Sequence, residues 1–105
     1  MGQERPLEGK VAIVTGGGRR LGKGMALAFA RDGASVVINA RSSRDEAEKA
    51  AAEDEAAGAK AMVHIADVTD EAAVNKMVDA TVAKFGRVDI LVNNAANRDE
   101  SPFLQ

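Results

Sequence analysis

Four short apolar runs, rich in β-branched residues, alternate with three helical patterns, and this alternation restricts the possible folds more than any other feature. The runs cover residues 11–14, 36–38, 61–65 and 90–92. Their apolar residues occupy consecutive rather than alternate positions, which is typical of strands covered on both faces. Strands and helices in this order require right-handed crossovers and a parallel sheet. The sequence therefore predicts an α/β fold, half of a doubly wound parallel sheet with the order β-α-β-α-β-α-β.

Each predicted helix ends at a glycine, a residue that readily adopts the left-handed conformation found after helices. These glycines are Gly33, Gly58 and Gly86, and the helices begin near residues 21, 43 and 70. Ser43 is followed three residues later by Glu46, a capping-box pattern at the start of the second helix. The third helix carries a largely apolar stripe at helical spacing. The stripe consists of Val74, Met77, Val78, Thr81, Val82 and Phe85.

Composition and charge exclude several classes of protein. The 105 residues can bury one modest core, so one domain at most is expected. A formal net charge of -2 offers no basic surface for nucleic acid or an anionic membrane. The sequence has no cysteine, which excludes disulfides and thiolate metal sites, and no other cluster suggests a metal. Because residues 1–10 lack a signal peptide and no apolar run could span a bilayer, a cytoplasmic protein is expected.

Two further features receive ordinary structural interpretations. His64 lies within an apolar run and is interpreted as a strand residue rather than a ligand or a base. The acidic residues 53–55 are interpreted as a solvated face of the second helix.

The last apolar run, 90–92, has the character of a central strand, although it lies only about a dozen residues from the end of the sequence. Neither charge nor proline protects its edge from pairing with another chain. We therefore expect the parent chain to continue beyond Gln105, with later strands covering this edge. Residues 1–105 would then be the N-terminal part of a single domain.

A glycine loop joins the first strand to the first helix. A strand that runs into such a loop and then into a helix places backbone N–H groups where a pyrophosphate can bind, and the helix N-terminus adds roughly half a positive charge. Gly16 would permit the tight turn, and Gly22 would let the helix pack close to the strand. The position of the loop within a βαβ unit favours a dinucleotide site over a plain turn.

Three motifs carry a resemblance to a known family. Residues 15–22, T-G-G-G-R-R-L-G, resemble the T-G-x-x-x-G-x-G fingerprint of the short-chain dehydrogenase/reductase family. Residues 93–96, N-N-A-A, are similar to the N-N-A-G segment of that family, and Asp67-Val68 matches its adenine-contacting D-V pair. The resemblance implies a Rossmann fold, a nicotinamide cofactor and oxidoreductase activity. Asp67 could instead only cap the helix that begins near Thr69-Asp70, and the asparagines could only form a turn.

The sequence departs from the family pattern at two positions. Ala96 replaces the glycine of N-N-A-G, a small change beside the nicotinamide ribose. Arg20 replaces the middle glycine of the fingerprint and resembles the variant of pteridine reductases and some other NADPH-dependent members. Ordinary right-handed dihedral angles suffice in a first helical turn, so glycine is not obligatory there. The Arg20 guanidinium would lie near the cofactor phosphates.

The residues after the second strand favour NADP(H) over NAD(H). NAD-specific sites usually place an Asp there to accept from the ribose 2′-hydroxyl. This chain instead has Asn39-Ala40-Arg41-Ser42, in which Arg41 can pair with a 2′-phosphate and Ser42 can donate to it. NADP-dependent members of the family resemble this, with a second basic residue at the position of Arg19. The alternative is that these arginines are solvated surface charges.

Together these arguments give one set of candidate cofactor-binding residues. They are Gly16, Gly18, Arg19, Arg20, Leu21, Gly22, Asn39, Ala40, Arg41, Ser42, Asp67, Val68, Asn94, Ala95 and Ala96.

The catalytic residues of the family are not found in this sequence. The family uses a Tyr-x-x-x-Lys pair with a preceding serine, and this sequence contains no tyrosine. No catalytic residue is therefore assigned, and the 105 residues alone are expected to be inactive. The resemblance implies a small-molecule carbonyl or alcohol substrate, a homotetramer, and an enzyme similar to 3-oxoacyl-carrier-protein reductases. A non-catalytic NADP(H)-binding redox sensor is the alternative, and a gene product without function is a third possibility.

Overall fold

The computed structural model describes residues 5–16 and 20–94, apart from the side chain of Arg20. Strands and helices alternate along this part of the chain, as the sequence predicts. The elements are β1 (Val11–Thr15), α1 (Arg20–Arg31), β2 (Ser35–Ala40), α2 (Arg44–Ala56), β3 (Ala61–Ile65), α3 (Glu71–Phe85) and β4 (Ile90–Val92).

The four strands form one parallel sheet in the order β3-β2-β1-β4. Ile13 of β1 lies beside Val37 of β2 and Leu91 of β4. From β1 to β3 the strands are added in one direction across the sheet, and β4 is then added on the opposite side of β1. The order of addition therefore reverses between β1 and β4, although all four strands run parallel. In doubly wound sheets, ligands bind outside the carboxyl ends of the strands at this reversal. The predicted fold class is confirmed.

Helices lie against both faces of the sheet, so the central strands β1 and β2 are buried on both sides, whereas β3 is half-buried and Leu91 of β4 is 58% exposed. Val14 and Ile38 face α1 and α2, where they pack against small residues such as Ala26 and Ala47. Alanine at the contact lets a helix lie close to the sheet. On the other face, Ile13 and Val37 pack against Met77 of α3, and the two clusters bury the consecutive apolar residues of β1 and β2.

The predicted helix ends are confirmed, whereas the predicted cap of α2 is wrong. Gly33, Gly58 and Gly86 all have positive φ angles, of 102°, 102° and 90°. Ser43 stands at the N-terminus of α2, but its side chain makes no capping hydrogen bond. Its backbone, at φ −85° and ψ 70°, is not in the extended conformation that directs a capping hydroxyl toward the first turn. Helix α3 does carry a side-chain cap, since Asp70 accepts from two backbone N–H groups.

The interpretation of residues 53–55 as a solvated face is wrong for its central member. Glu53 and Glu55 are exposed, but Asp54 is only 1% exposed. Asp54 continues the buried alanine row of α2, so its carboxyl lies on the side of the helix that packs inward. Its Oδ2 atom has no hydrogen-bond partner among the described residues. Burial raises the pKa of Asp54 from an ordinary 3.8 to about 6, and the charges of Glu53 and Glu55 add to the effect.

Strand β4 is tied to β1 by a side chain that the sequence reasoning did not select. Asp89, directly before β4, accepts a hydrogen bond from the Val11 N–H at 2.9 Å through Oδ2, and its own N–H donates to the Val11 carbonyl. Arg87 donates to the other carboxylate oxygen of Asp89 at 2.8 Å. These hydrogen bonds, from Arg87 first and from Val11 second, hold the pKa of Asp89 below its usual value. An acid immediately before an apolar run is the signal that could have identified this residue.

Candidate functional site

The carboxyl ends of the four parallel strands bring most of the described candidate residues to one edge of the sheet. Gly16 follows β1, Arg41 follows β2, Asp67 comes shortly after β3, and Asn94 follows β4. Gly18, Arg19, Ala95 and Ala96 lie outside the described residues, as does the side chain of Arg20. The site can therefore be described at the β1 turn, the β2–β3 corner and the end of β4.

The turn after β1 requires glycine at two positions. Gly16 has a φ angle of 67°, in the left-handed region that side chains rarely adopt. Gly22, in the first turn of α1, lies against that turn: a Cβ atom added to it would collide with the Gly16 carbonyl oxygen and lie 2.8 Å from Asn94 Nδ2. The start of α1 consequently packs directly onto the ends of β1 and β4.

The N-terminus of α1 suits an anion. This helix of 12 residues begins at Arg20, immediately after the glycine loop, and its first turn carries no acidic residue. Free backbone N–H groups and the helix dipole favour a negative group at such a position. Leu21 beside it is 68% exposed, more than any other large apolar side chain of the described residues. The acid-free N-terminus of α1 therefore fits a phosphate group.

Thr15 links the ends of β1 and β4 through its hydroxyl. The hydroxyl donates to the Val92 carbonyl at 3.1 Å and accepts from the Asn94 N–H at 2.7 Å, and Asn93 Oδ1 lies 3.4 Å away. The chain leaving β4 is thus held beside the glycine turn, at the reversal point of the sheet.

Asn39 at the end of β2 is buried, and its side chain faces the neighbouring strand. Its Nδ2 atom donates to the carbonyls of His64 at 3.1 Å and Ala66 at 3.2 Å. Both amide protons are therefore used within the sheet. His64 is a half-buried residue of β3 that contributes its carbonyl here.

Arg41 and Asp67 form an ion pair across the β2–β3 corner. Arg41 Nη2 lies 3.5 Å from Asp67 Oδ2, and the two side chains are 79% and 38% exposed. Asp67 Oδ1 also accepts from the Thr69 hydroxyl at 2.7 Å and the Thr69 N–H at 2.9 Å. These hydrogen bonds, ahead of the Arg41 charge, hold the pKa of Asp67 below its usual value. Asp67 therefore fixes a local turn, and the cap of α3 is Asp70.

The remaining predicted residues differ in accessibility. Ala40 is buried among the residues that face α1 and α2, and Val68 packs into the cluster around Met77. Ser42 is exposed next to Arg41. At this corner, the groups most open to a ligand are therefore the Arg41 guanidinium and Ser42.

Residues 5–16 and 20–94 offer neither a cluster of metal-ligating side chains nor a membrane-spanning helix. This part of the chain holds no group of three or more His, Asp or Glu side chains suited to a metal ion. None of its helices combines the length and apolar character that a bilayer span needs.

The sheet order, the glycine turn and the acid-free N-terminus of α1 define the dinucleotide-binding half of a Rossmann-type domain. Residues 10–105 match the family model described as short chain dehydrogenase, so the chain belongs to that family of oxidoreductases. The family assignment made from the three motifs is confirmed.

Individual relatives agree with this assignment. A versicolorin reductase of Emericella nidulans is 46% identical over 89 residues, which are 85% of this chain and 34% of the reductase. The structure of a hydroxysteroid dehydrogenase from Escherichia coli matches with a TM-score of 0.82 and 40% identity, over 92% of this chain and 41% of that chain. An NAD+-bound xylitol dehydrogenase matches with a TM-score of 0.82 and 38% identity, over 87% and 35%. The chain spans about a third of the length of the reductase and less than half of either dehydrogenase.

Proposed function

We propose that this chain supplies the cofactor half of an NADP(H)-dependent oxidoreductase that interconverts carbonyl and alcohol groups. The observation that carries the choice of cofactor is the 79% exposed Arg41 side chain directly after β2, where an acid would mark NAD.

The β2–β3 corner supports a 2′-phosphate for electrostatic reasons. The residues from Asn39 to Ser43 include no acid. No carboxylate directly after β2 is therefore available to accept from a ribose 2′-hydroxyl or to repel a 2′-phosphate. A guanidinium presents a planar fork of donors that suits a phosphate, and charge-assisted hydrogen bonds are the stronger ones. Asp67 already pairs with Arg41, but the Arg41 side chain remains 79% exposed.

The other residues are assigned to the parts of the dinucleotide that both cofactors share. Gly16, Leu21, Gly22 and the backbone at the start of α1 would hold the pyrophosphate, together with Gly18 and Arg20. Arg19 would instead join Arg41 at the 2′-phosphate. Asp67 and Val68 would border the adenine, and Asn94 with residues 95–96 would border the nicotinamide ribose. When bound, the nicotinamide supplies or accepts a hydride.

The substrate and the assembly are proposals from family resemblance. We place the substrate among small-molecule carbonyls or alcohols, with an overall similarity to 3-oxoacyl-carrier-protein reductases and an Arg20 loop like that of pteridine reductases. The proposed full-length assembly is a cytoplasmic homotetramer.

The second candidate is a non-catalytic NADP(H)-binding sensor. The sequence contains no tyrosine, so it supplies no Tyr-x-x-x-Lys pair to protonate a product oxygen. Turnover of a carbonyl substrate by the full-length protein separates the enzyme from the sensor.

The test of the cofactor assignment is the substitution Arg41→Asp. It removes one contact to the 2′-phosphate, adds a repulsion and supplies an acceptor for a 2′-hydroxyl, so the preference for NADPH should collapse or reverse. Arg31→Asp makes the same charge change in the last turn of α1, at the end of the helix opposite the glycine loop. It should leave the NADPH-to-NADH affinity ratio unchanged. Dissociation constants measured by titration decide the matter, and an unchanged ratio in Arg41→Asp contradicts the proposal.

A further inference from the structure

We propose that Asn39 is a positioning residue that sets the preference between the two cofactors, without itself binding either one. Its buried amide fixes the strand ends from which Arg41 and Asp67 emerge, and so holds the Arg41 guanidinium at the adenosine corner. This inference rests on the proposed function, because it concerns how Arg41 reaches a 2′-phosphate.

The geometry of β2 and β3 carries the first step. Asn39 pairs with His64 and Ala40 with Ile65 in the sheet register. The Asn39 amide bonds to the carbonyls of His64 and Ala66, on either side of Ile65, and the Ala66 N–H donates to the Ala40 carbonyl at 3.0 Å. In addition to the strand ladder, one backbone and two side-chain hydrogen bonds therefore tie the end of β3 to the end of β2.

The second step follows from what comes next in each strand. Arg41 directly follows Ala40, and Asp67 directly follows Ala66, so the tied residues set the spacing of the ion pair. An exposed pair 3.5 Å apart contributes little stability of its own and cannot hold two strand ends in register. The buried amide therefore acts together with the strand ladder to set the position of the pair.

The third step concerns the burial of Asn39. Its amide makes two hydrogen bonds in the interior, where an unpaired carbonyl is costly, so the side chain keeps one orientation. The sequence reasoning placed Asn39 among the cofactor ligands, whereas its two amide protons are already engaged within the sheet. A role through Arg41 and Asp67 uses the contacts that the side chain makes.

The expected effect is on the ratio of the two affinities. In Asn39→Ala, Arg41 is no longer held in place before the cofactor binds, so binding the 2′-phosphate must also order the Arg41 side chain. This ordering costs binding free energy and lowers the NADPH-to-NADH affinity ratio roughly two- to tenfold. A looser adenine contact through Asp67 weakens both cofactors alike and cancels from the ratio. Asn39→Ser, which keeps one donor, should give an intermediate ratio and also provides the measurement if Asn39→Ala does not fold.

A matched control separates positioning from loss of stability. Thr81 is buried on α3 and donates to the Met77 carbonyl at 2.8 Å, far from the strand ends. Thr81→Val removes this buried hydrogen bond and should leave the cofactor ratio unchanged, even where it lowers the melting temperature as much as Asn39→Ala or Asn39→Ser.

A double-mutant cycle completes the test. Arg41→Gln alone should lower the ratio, and adding Asn39→Ala, or Asn39→Ser if that is the variant that folds, should lower it no further, because both changes act on the same contact. If Arg41→Gln lowers the ratio while the folded Asn39 variant leaves it unchanged, the positioning role is overturned and the proposed function stands. If Arg41→Gln leaves the ratio unchanged, the proposed function fails and this inference fails with it. Independent, additive effects of the two substitutions also overturn the positioning role.

Discussion

Replacing Asp54 by Asn should make the protein more stable at neutral pH, with a gain that disappears in acid. Asp54 is 1% exposed, its Oδ2 has no partner among the described residues, and burial raises its pKa from 3.8 to about 6. Asn has nearly the same shape and no charge. The substitution therefore isolates the cost of ionising this carboxyl inside the fold.

The direction follows from linkage between folding and proton binding. Well below pH 3.8 the carboxyl is protonated in both the folded and the unfolded state, so its ionisation costs the fold nothing. As the pH rises, the unfolded chain ionises first, and the folded state loses relative stability until the pH passes about 6. A rise from 3.8 to about 6 corresponds to about 3 kcal/mol. The Asn side chain that replaces the carboxyl is itself a buried amide without full hydrogen-bond partners, which costs about 1–2 kcal/mol. The net gain in stability at neutral pH is therefore about 1–2 kcal/mol.

Urea unfolding followed by far-UV circular dichroism measures this effect, since the sequence contains no Trp or Tyr for fluorescence. Between about pH 4 and about pH 8, the stability difference between Asp54→Asn and the unmodified protein should change by about 2–3 kcal/mol in favour of the variant. Asp79→Asn, the same substitution at an exposed position of α3, should show a nearly constant difference, within about 0.5 kcal/mol. A pH-independent difference for Asp54→Asn would refute the reasoning.

The remaining predictions concern the packing at the strand ends. Gly22→Ala should destabilise the protein by about 1–3 kcal/mol and weaken the binding of both cofactors, because the added Cβ meets the turn after β1. Gly24→Ala on the same helix has open space around its Cβ and should stabilise the protein by about 0.5–1 kcal/mol. Thermal melts and cofactor titrations compare the two variants, and equal effects would count against the tight contact at Gly22. Asp89→Ala should lower the denaturation midpoint because the Val11 N–H loses its acceptor, and a chemical denaturation curve that matches the unmodified protein would contradict this. Thr15→Val should lower stability by about 1–3 kcal/mol and weaken NADPH and NADH equally, since it loosens the link to β4; a selective effect on one cofactor would be inconsistent with that role.

The fold could be predicted because local signals agreed with the tertiary structure. Consecutive apolar residues in the strands, helical spacing in α3 and the glycines after each helix all indicated the same architecture. The capping box at Ser43 failed because a motif specifies residue types, whereas a cap also needs an extended backbone at its first residue. The burial of Asp54 was missed because α2 is rich in alanine and acids, so its inward face has little hydrophobic contrast with its outward one.

The candidate site was predictable only where a motif specifies the backbone. The glycines at 16 and 22 follow from a turn and a close approach that only glycine allows. The roles of Asn39 and the Arg41–Asp67 pair depend on β2 and β3 being neighbours, a property of the sheet order that neither segment shows by itself. Asp89 does stand directly before an apolar run, but the role of its carboxylate depends on Val11, which lies at the other end of the described chain.

The most direct test of the proposed function is the ratio of the NADPH and NADH dissociation constants of the unmodified protein, measured by titration at one ionic strength. One charge-assisted contact from Arg41 to the 2′-phosphate is worth about 1.5–3 kcal/mol, which predicts NADPH binding roughly ten- to a hundredfold tighter than NADH. Raising the salt concentration should reduce this preference, because the exposed guanidinium is screened. Equal affinity for the two cofactors, or tighter binding of NADH, would contradict the assignment of Arg41 to the 2′-phosphate.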